Sequence, residues 1–487
     1  MNEFRGRIGI MAKGTMYQLI SGVVFVTSGY IIHIGLGRSL GPERYGIFGV
    51  ILSLLSINYL FLRTGIRDSV SRFTAENHGL VQSILKEGLK VQWIFSFILA
   101  LLYFGLSNII ANLLNDLSLI PYIRLSALAI PFTAIYSVYM GSLNGIRSFG
   151  KEVTIQIVYS VSKVILVFTL VFLGLQITGA ISGYIFASLI AVLTAKYICR
   201  SNRSSTSFDY KRIIRFALPI IIFSGVSTLL IKLDLLFVKA ILQDNNQAGF
   251  YTAASNLTKT PLPVFSAFSL TLFPLVSRSI SRGDLSQTQD YIRTTLKYLI
   301  MLISPVAFIV SATSKDLVQL FYSTQFSNAG APLSILIFGM SFFSIFTLFI
   351  SIINASGRPT ISMIFAFVMI PISIVLNLSL IPGYQLTGAA LATSISLFFG
   401  VLVAGVYVYM KFKTFLYYRS LVKILSASVV ISLAAKFSTI SGFLLIPEYF
   451  ILFTVYLLLL YLLREIGKED IEKVKVILAG LTQPRGL

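Results

Sequence analysis

The chain has 487 residues, of which 56% are hydrophobic and 12% charged, about half the roughly 25% charged residues of soluble domains. That composition excludes an ordinary soluble fold. The net charge of +21 suggests nucleic acid as a partner, but a nucleic-acid binder gathers its bases on one patch, whereas these are dealt out loop by loop.

Fourteen apolar stretches follow one another, near residues 14–36, 46–62, 89–111, 119–141, 153–175, 177–198, 213–238, 248–273, 294–311, 331–353, 360–381, 385–410, 420–435 and 447–463. Each approaches the ~20 residues that a helix needs to cross the hydrocarbon core, the thirteenth being short. Thirty of the 39 Lys and Arg residues fall in alternate gaps: Arg5, Arg7 and Lys13; five around 63–90; Arg147 and Lys151; six around 196–215; four around 278–297; Arg358; four around 411–423; and five in the tail. The other gaps hold only Arg38, Arg44, Lys239, Lys315 and Lys436. Because basic loops stay cytoplasmic, the pattern predicts fourteen crossings with both termini inside.

The first stretch is long and lacks a small-residue cleavage site, so it reads as a retained helix. Cys199, the single cysteine, has no internal disulfide partner and falls on the reducing side. The longest non-membrane segments, near 274–293 and 464–487, are too short for a catalytic or nucleotide-binding domain, which needs at least ~50 residues.

Two passages recur. Leu36-Gly37-Arg38-Ser39-Leu40-Gly41-Pro42-Glu43-Arg44-Tyr45-Gly46 finds its counterpart in Val238 to Tyr251, with Gly46 matching Gly249. Gln176-Ile177-Thr178-Gly179-Ala180 matches Gln385-Leu386-Thr387-Gly388-Ala389. Order and offset are kept, which predicts a duplicated six-helix unit. Six is even, so the two units share one orientation, related by a pseudo-twofold axis along the membrane normal with a cavity between them. The expected architecture is all-α and polytopic: an N-terminal six-helix lobe (1–198), a cytoplasmic linker (199–212), a second six-helix lobe (213–410), two further membrane helices (411–463) and a cytoplasmic tail (464–487).

The ordered combination of Leu40-Gly41-Pro42-Glu43-Arg44-Tyr45-Gly46, Lys232-Leu233-Asp234, Ala248-Gly249-Phe250-Tyr251-Thr252-Ala253-Ala254, Asn354-Ala355-Ser356-Gly357-Arg358-Pro359 and the stretch Asn377 to Ala390 resembles the polysaccharide-transporter family. These are oligosaccharide flippases, O-antigen flippases among them, of the multidrug/oligosaccharidyl-lipid/polysaccharide exporter superfamily. The likeness spans the first twelve stretches, and Gln385 stands where a glycine is common. The resemblance implies two six-helix lobes, a cavity that opens alternately to either side, and a polyprenyl-pyrophosphate-linked oligosaccharide as cargo.

Four basic residues lie inside apolar stretches, where a charge costs roughly 2.5 to 3.5 kcal/mol on insertion scales and so faces water or a partner. Lys163 shares a helical face with Gln156, Tyr159 and Ser160; Lys259 with Thr252, Ser255 and Asn256; Lys232 continues Ser224 and Thr228. These stripes are candidate substrate contacts, with the three lysines attracting an anionic headgroup such as pyrophosphate. Arg124 is the fourth and lacks a companion stripe; it and Lys232 lie far enough out to snorkel to the interface. Arg63 and Arg67, one turn apart on the cytoplasmic side, are candidates to receive the headgroup, the plainer alternative being orientation anchors or contacts to anionic lipid. Asp234 is the acid to test for proton or sodium coupling.

Other motifs mislead. Gly145-Ile146-Arg147-Ser148-Phe149-Gly150-Lys151 starts like a phosphate-binding loop but continues with Glu152 where a Ser or Thr hydroxyl must bind magnesium. His33 and His78 fall on different sides of the membrane, and with one cysteine they predict no zinc cluster. Asn202-Arg203-Ser204 is a cytoplasmic glycosylation look-alike. No nucleophile with a base and an orienting group is recognisable, so neither catalysis nor a cofactor is expected.

The leading expectation is a monomeric flippase of the cell (inner) membrane, working among membrane lipids, with docking of polysaccharide-synthesis enzymes on the basic loops left open. A drug or cation antiporter of the same fold would call for intramembrane carboxylates. A membrane-embedded polymerase or ligase would call for a large external loop.

Overall fold

The computed structural model describes residues 2–199, 208–438 and 440–467, and leaves out the side chains of 1–15, 219, 222–228 and 230. Most of the expected linker, Asn202-Arg203-Ser204 and the tail from 468 onward lie outside the described residues. Those described are all helix and turn: α1 (Asn2–Arg63), α2 (Ile66–Glu76), α3 (Val81–Gly105), α4 (Ser107–Leu113), α5 (Ile120–Ala127), α6 (Ala129–Gly145), α7 (Phe149–Leu170), α8 (Gln176–Ile198), α9 (Tyr210–Leu242), α10 (Asn245–Thr258), α11 (Leu262–Ser281), α12 (Leu285–Ala312), α13 (Ser314–Phe321), α14 (Gly330–Ala355), α15 (Pro359–Phe412), α16 (Tyr418–Phe437) and α17 (Leu445–Leu462). Among the described residues, ten helical segments are long and apolar enough to cross a membrane.

Three of these segments, Met16–Glu76, Phe149–Ile198 and Pro359–Phe412, run to 61, 50 and 54 residues. A straight helix of 61 residues would reach about 90 Å, three times the hydrocarbon core. Each segment is broken by its backbone. Gly41 takes φ 74 and ψ 174, a region open to glycine alone. Pro42 then starts the next helix with its φ preset and no N–H to satisfy. In the second segment the break comprises Gly174 at φ 89 and Gln176 at φ 48 and ψ −126; in the third it is Gln385 at φ 52 and ψ −128.

The two glutamines, matched by the sequence repeat, thus adopt one backbone conformation. The glycines three positions on do the same job in both copies. A Cβ on Gly179 would press on the carbonyl of Leu170, and one on Gly388 would collide with the carbonyl oxygen of Leu380.

The chain divides into two compact units, Met1–Asn256 with Ser373–Ala389, and Leu257–Ile372 with Ala390–Leu487. Apolar side chains gain little from pairing with each other rather than with lipid, so membrane helices associate through close packing at small residues. In the first unit Gly141 and Gly145 of α6, four apart, let α2 lie directly against them: a Cβ on either would strike the backbone carbonyl of Arg67 or Ser71. On α8, Ala187, Ala191 and Ala195 form a smooth stripe against Tyr136 and Tyr159. Phe208, Ile213, Ala217 and Ile221 pack on Ile66 and Val70 of α2. In the second unit α16 and α17 pack on α12 through Ile309, Ile424, Ile431, Leu452 and Tyr456.

The conformation of Gln385 predicts a stabilising substitution. A non-glycine residue there stores about 1–3 kcal/mol of strain, and glycine costs only ~0.5–1 kcal/mol of extra chain entropy. Gln385→Gly is therefore expected to raise the melting temperature in detergent, with a gain of about 1 kcal/mol, and Gln385→Ala is not. An equal response to both substitutions would show that the backbone conformation carries no strain.

Candidate functional site

Gln156, Tyr159, Ser160 and Lys163 all lie on the buried face of α7. The helix can turn this face inward because α8 comes close, with Gly183 seated on the backbone of Val167. Gln156 donates to Ser160 Oγ at 3.5 Å. Lys163 is 3% exposed, and its ammonium lies 5.0 Å from the ring centre of Phe25, 5.3 Å from Tyr159 and 5.4 Å from Tyr184.

Arg63, at the end of α1, reaches one of the same rings. Its guanidinium lies 5.4 Å from Phe25 and 5.8 Å from Tyr136, and Nη2 donates to the Tyr136 hydroxyl at 2.6 Å. Tyr136 and Tyr159 close the wall with ring centres 5.2 Å apart. Two basic side chains thus share one phenyl ring in an aromatic cage. Among the described residues neither makes an ion pair. Cation–π contacts contribute about 0.5–2 kcal/mol each, well short of the several kcal/mol that burying an ion costs. Such a cage favours an anion.

The other expected residues are dispersed. Just past Arg63 the chain breaks at Gly65, φ 63, and Arg67 turns away to Glu152 Oε1 at 2.9 Å. Glu152 is almost fully buried and also accepts from Gln18 at 2.8 Å and Asn144 at 3.1 Å. The residue that spoils the phosphate-loop motif is therefore a structural hub tying α1, α2, α6 and α7 together. Arg124 is exposed, donating to Ser107 at 3.0 Å and Asn108 at 3.3 Å, over the ring of Phe104.

Lys232 is half-buried in α9, and the side chains of Ser224 and Thr228 lie outside the described residues. Asp234 is buried and accepts from the Tyr251 hydroxyl at 2.8 Å. Ser255 is buried, and Asn256 donates to the Tyr45 hydroxyl at 3.0 Å, beside His33 Nδ1. Lys259 belongs to the second unit, half-buried where α10 gives way to α11. Partial burial pushes the Cys199 thiol up to about 11 against the opposing effect of Lys151, leaving it a poor nucleophile at neutral pH.

Sequence reasoning reached Lys163 and Tyr159 through helical spacing. It missed the partnership of Arg63, Phe25, Tyr136 and Tyr184 with Lys163, because no spacing rule joins residues on four separate helical stretches.

A second ionic cluster lies at the far end of the first unit. Lys239, near the end of α9 and 1% exposed, meets Asp116 Oδ2 at 2.6 Å and donates to Asn245 Oδ1 at 2.6 Å. Asn115 donates to the carbonyl of Ala240 at 2.8 Å, and Asp116 caps the short helical turn after it by accepting from Ser118 N at 2.9 Å.

The fold and its hydropathy define an all-helical, multi-pass membrane protein. The chain belongs to the family described as "Polysaccharide biosynthesis protein", which it matches over residues 36–331. It is similar to the lipid II flippase MurJ of Bacillus subtilis (strain 168), 22% identical over 476 residues that cover 88% of this chain and 87% of the relative. It is also similar to a putative O-antigen transporter of Shigella flexneri, 24% identical over 381 residues, 74% of this chain and 88% of that one. Among solved structures, a lipid II flippase MurJ in an inward closed conformation shares the fold, with a TM-score of 0.74, 16% identity and coverage of 94% of this chain and 99% of that one.

The Asp116 carboxyl predicts a pH dependence. Partial burial alone would raise its pKa, but hydrogen bonds from Lys239 and Ser118 and the charge of Lys239 outweigh that and hold it below the usual carboxylate range. A depressed folded value contributes stability that is present above the unfolded value of about 3.9 and is lost as pH falls through the folded one. The melting-temperature gap between the native chain and Asp116→Asn should therefore be full at neutral pH and shrink only below about pH 4. A gap that stays constant down to the folded value would show that Asp116 draws nothing from the pair.

Proposed function

We propose that this protein is a flippase that carries a polyprenyl-pyrophosphate-linked oligosaccharide from the cytoplasmic to the outer leaflet of the cell membrane by alternating access. The observation that carries the reading is the pairing of Arg63 with Lys163 in an aromatic cage without a carboxylate. The family, and relatives named for lipid II and O-antigen transport, supply the substrate class. Pyrophosphate bears the charge that the cage lacks. A cationic drug would be repelled there, so the sign of charge speaks against the antiporter alternative. Lys232 and Lys259, with Gln156, Ser160, Ser255 and Asn256, are further proposed contacts along the path. Asp234 remains the acid to test for ion coupling. Arg124, engaged at the surface, is not needed by this reading.

The topology proposed with it has fourteen crossings and cytoplasmic termini. The three long segments are each broken near the middle and long enough to cross twice. α9, at 33 residues, supplies one more crossing. The matching conformations of Gln176 and Gln385 and the matching contacts of Gly179 and Gly388 support two repeated lobes.

In liposomes containing a fluorescent lipid-linked oligosaccharide, Lys163→Gln and Arg63→Gln are expected to slow relocation about tenfold or more, the worth of a lost charge-assisted contact. Lys163→Arg should retain most of the rate. All three should keep the native melting temperature within a few degrees. Undiminished relocation by the double variant Lys163→Gln/Arg63→Gln would refute the headgroup site.

A further inference from the structure

Lys239 is one of only five basic residues in the gaps that the charge pattern assigns to the outer side. It is also the most deeply buried ion-pair partner among the described residues. Two helices stop beside it. Asn115 at φ 52 ends α4, and Gln243 at φ 55 ends α9, both left-handed residues that close a helix and turn its last carbonyls outward. The Asn115 side chain takes one of those carbonyls, that of Ala240. The Lys239 ammonium spans from Asp116 to Asn245, the first residue of α10.

Directly after Asn245, the start of α10 meets α1 backbone to backbone at two glycines. A Cβ on Gly46 would collide with the carbonyl oxygen of Asn245, and a Cβ on Gly249 with that of Pro42. The contact is reciprocal: each glycine rests on the carbonyl four positions before the other. One turn on, Gly49 leaves room for the Thr252 side chain. The glycines paired by the sequence repeat therefore touch one another. The ion pair and the Asn115 bond join the same two repeats, since Asn115 and Asp116 belong to the first and Lys239 to Asn245 to the second.

We infer that the Asp116–Lys239–Asn245 cluster, with the glycine contact beneath it, is a lock that holds the outer ends of the two repeats together and must open once in each transport cycle. The inference rests on the alternating-access reading proposed above. Its chemistry suits a contact that is made and broken. The ion pair is strong while enclosed, yet both partners fall in gaps that the charge pattern assigns to the outer side, where water can take them up on separation. At the two glycines the faces are flat, and the side chains that meet below them, Thr252 on Gly49 and Asn256 with Tyr45, are short or polar. Lys239 and Asp116 are positioning residues: they set which state is populated and touch no substrate.

The test reads the lock without transport. In a Cys199→Ala background, Thr252→Cys places a thiol two turns below Asn245, at a position 5% exposed in this state. Its labelling by a membrane-impermeant maleimide, added outside to right-side-out vesicles, should be slow. Asp116→Asn orphans Lys239 in the closed state only, and should speed labelling by on the order of a hundredfold. The swapped pair Asp116→Lys/Lys239→Asp should return it toward the slow rate, which a merely loosened fold would not do. Labelling that is indifferent to Asp116→Asn, or a swap as fast as the single variant, would overturn the lock.

A second arm joins Asn115→Cys to Ala240→Cys with a cleavable bifunctional maleimide. Movement of the fluorescent lipid-linked oligosaccharide should stop and resume on cleavage; full-rate movement in the joined protein would also overturn the lock. Should the labelling respond as stated while the native protein moves no such lipid at all, the lock stands and the flippase reading is the one that fails.

Discussion

A charge withdrawn from water must be compensated, and this chain meets that demand in two distinct ways. Where a basic side chain serves the architecture, a carboxylate meets it: Arg67 on Glu152, Lys239 on Asp116, and Lys297 with Lys423 on Glu465. Where Lys163 and Arg63 converge, aromatic rings and a phenol are what the described residues supply. Chain-wide scarcity of acids does not account for the difference, because Glu152 stands on the same helix as Lys163, three turns away, and is spent on Arg67. The incomplete compensation is local.

That contrast also orders the helices. Glu152 draws Gln18, Arg67 and Asn144 to one point, which fixes the junction of α1, α2, α6 and α7 around the lower end of the cage. The glycines of α6 then allow α2 to approach to backbone distance. With Glu152 holding the start of α7 and Gly183 of α8 seated on Val167 further along, the face bearing Gln156, Tyr159, Ser160 and Lys163 is held inward. A basic residue that would snorkel from an isolated helix is thereby held inside the bundle.

Much of this was legible in the sequence, for reasons that can be named. Span positions follow from hydropathy, because lipid imposes one length scale. The stripe on α7 follows from the 3.6-residue period. The breaks at Gly41-Pro42 and at the two Gln-x-Thr-Gly passages were visible as repeats, although their backbone geometry was not. What spacing does not encode is the pairing of helices distant in sequence. Arg63 and Arg67 look like one cytoplasmic pair, four residues apart, yet Gly65 breaks the helix between them and sends one to the cage and the other to Glu152. Glu152 read as the flaw in a nucleotide motif, because its three partners lie as far away as Gln18.

The same reasoning explains why the contact between α1 and α10 is built so differently from the core of the first unit. Around Tyr136, Tyr159 and the alanines of α8, side chains interdigitate, and separating them would open voids that packed interiors do not tolerate. Between α1 and α10 two glycines meet backbone, Thr252 lies on Gly49 and Asn256 bonds Tyr45, with further specificity from one ammonium, one carboxylate and two asparagines at the rim. Directional polar contacts fix which residues meet, but their loss is offset by hydration as soon as water reaches them. Buried apolar interlocking has no such compensation. The proposed lock draws on this difference: aromatic packing holds the cage together, while glycine, polar and ionic contacts hold the cluster at Lys239.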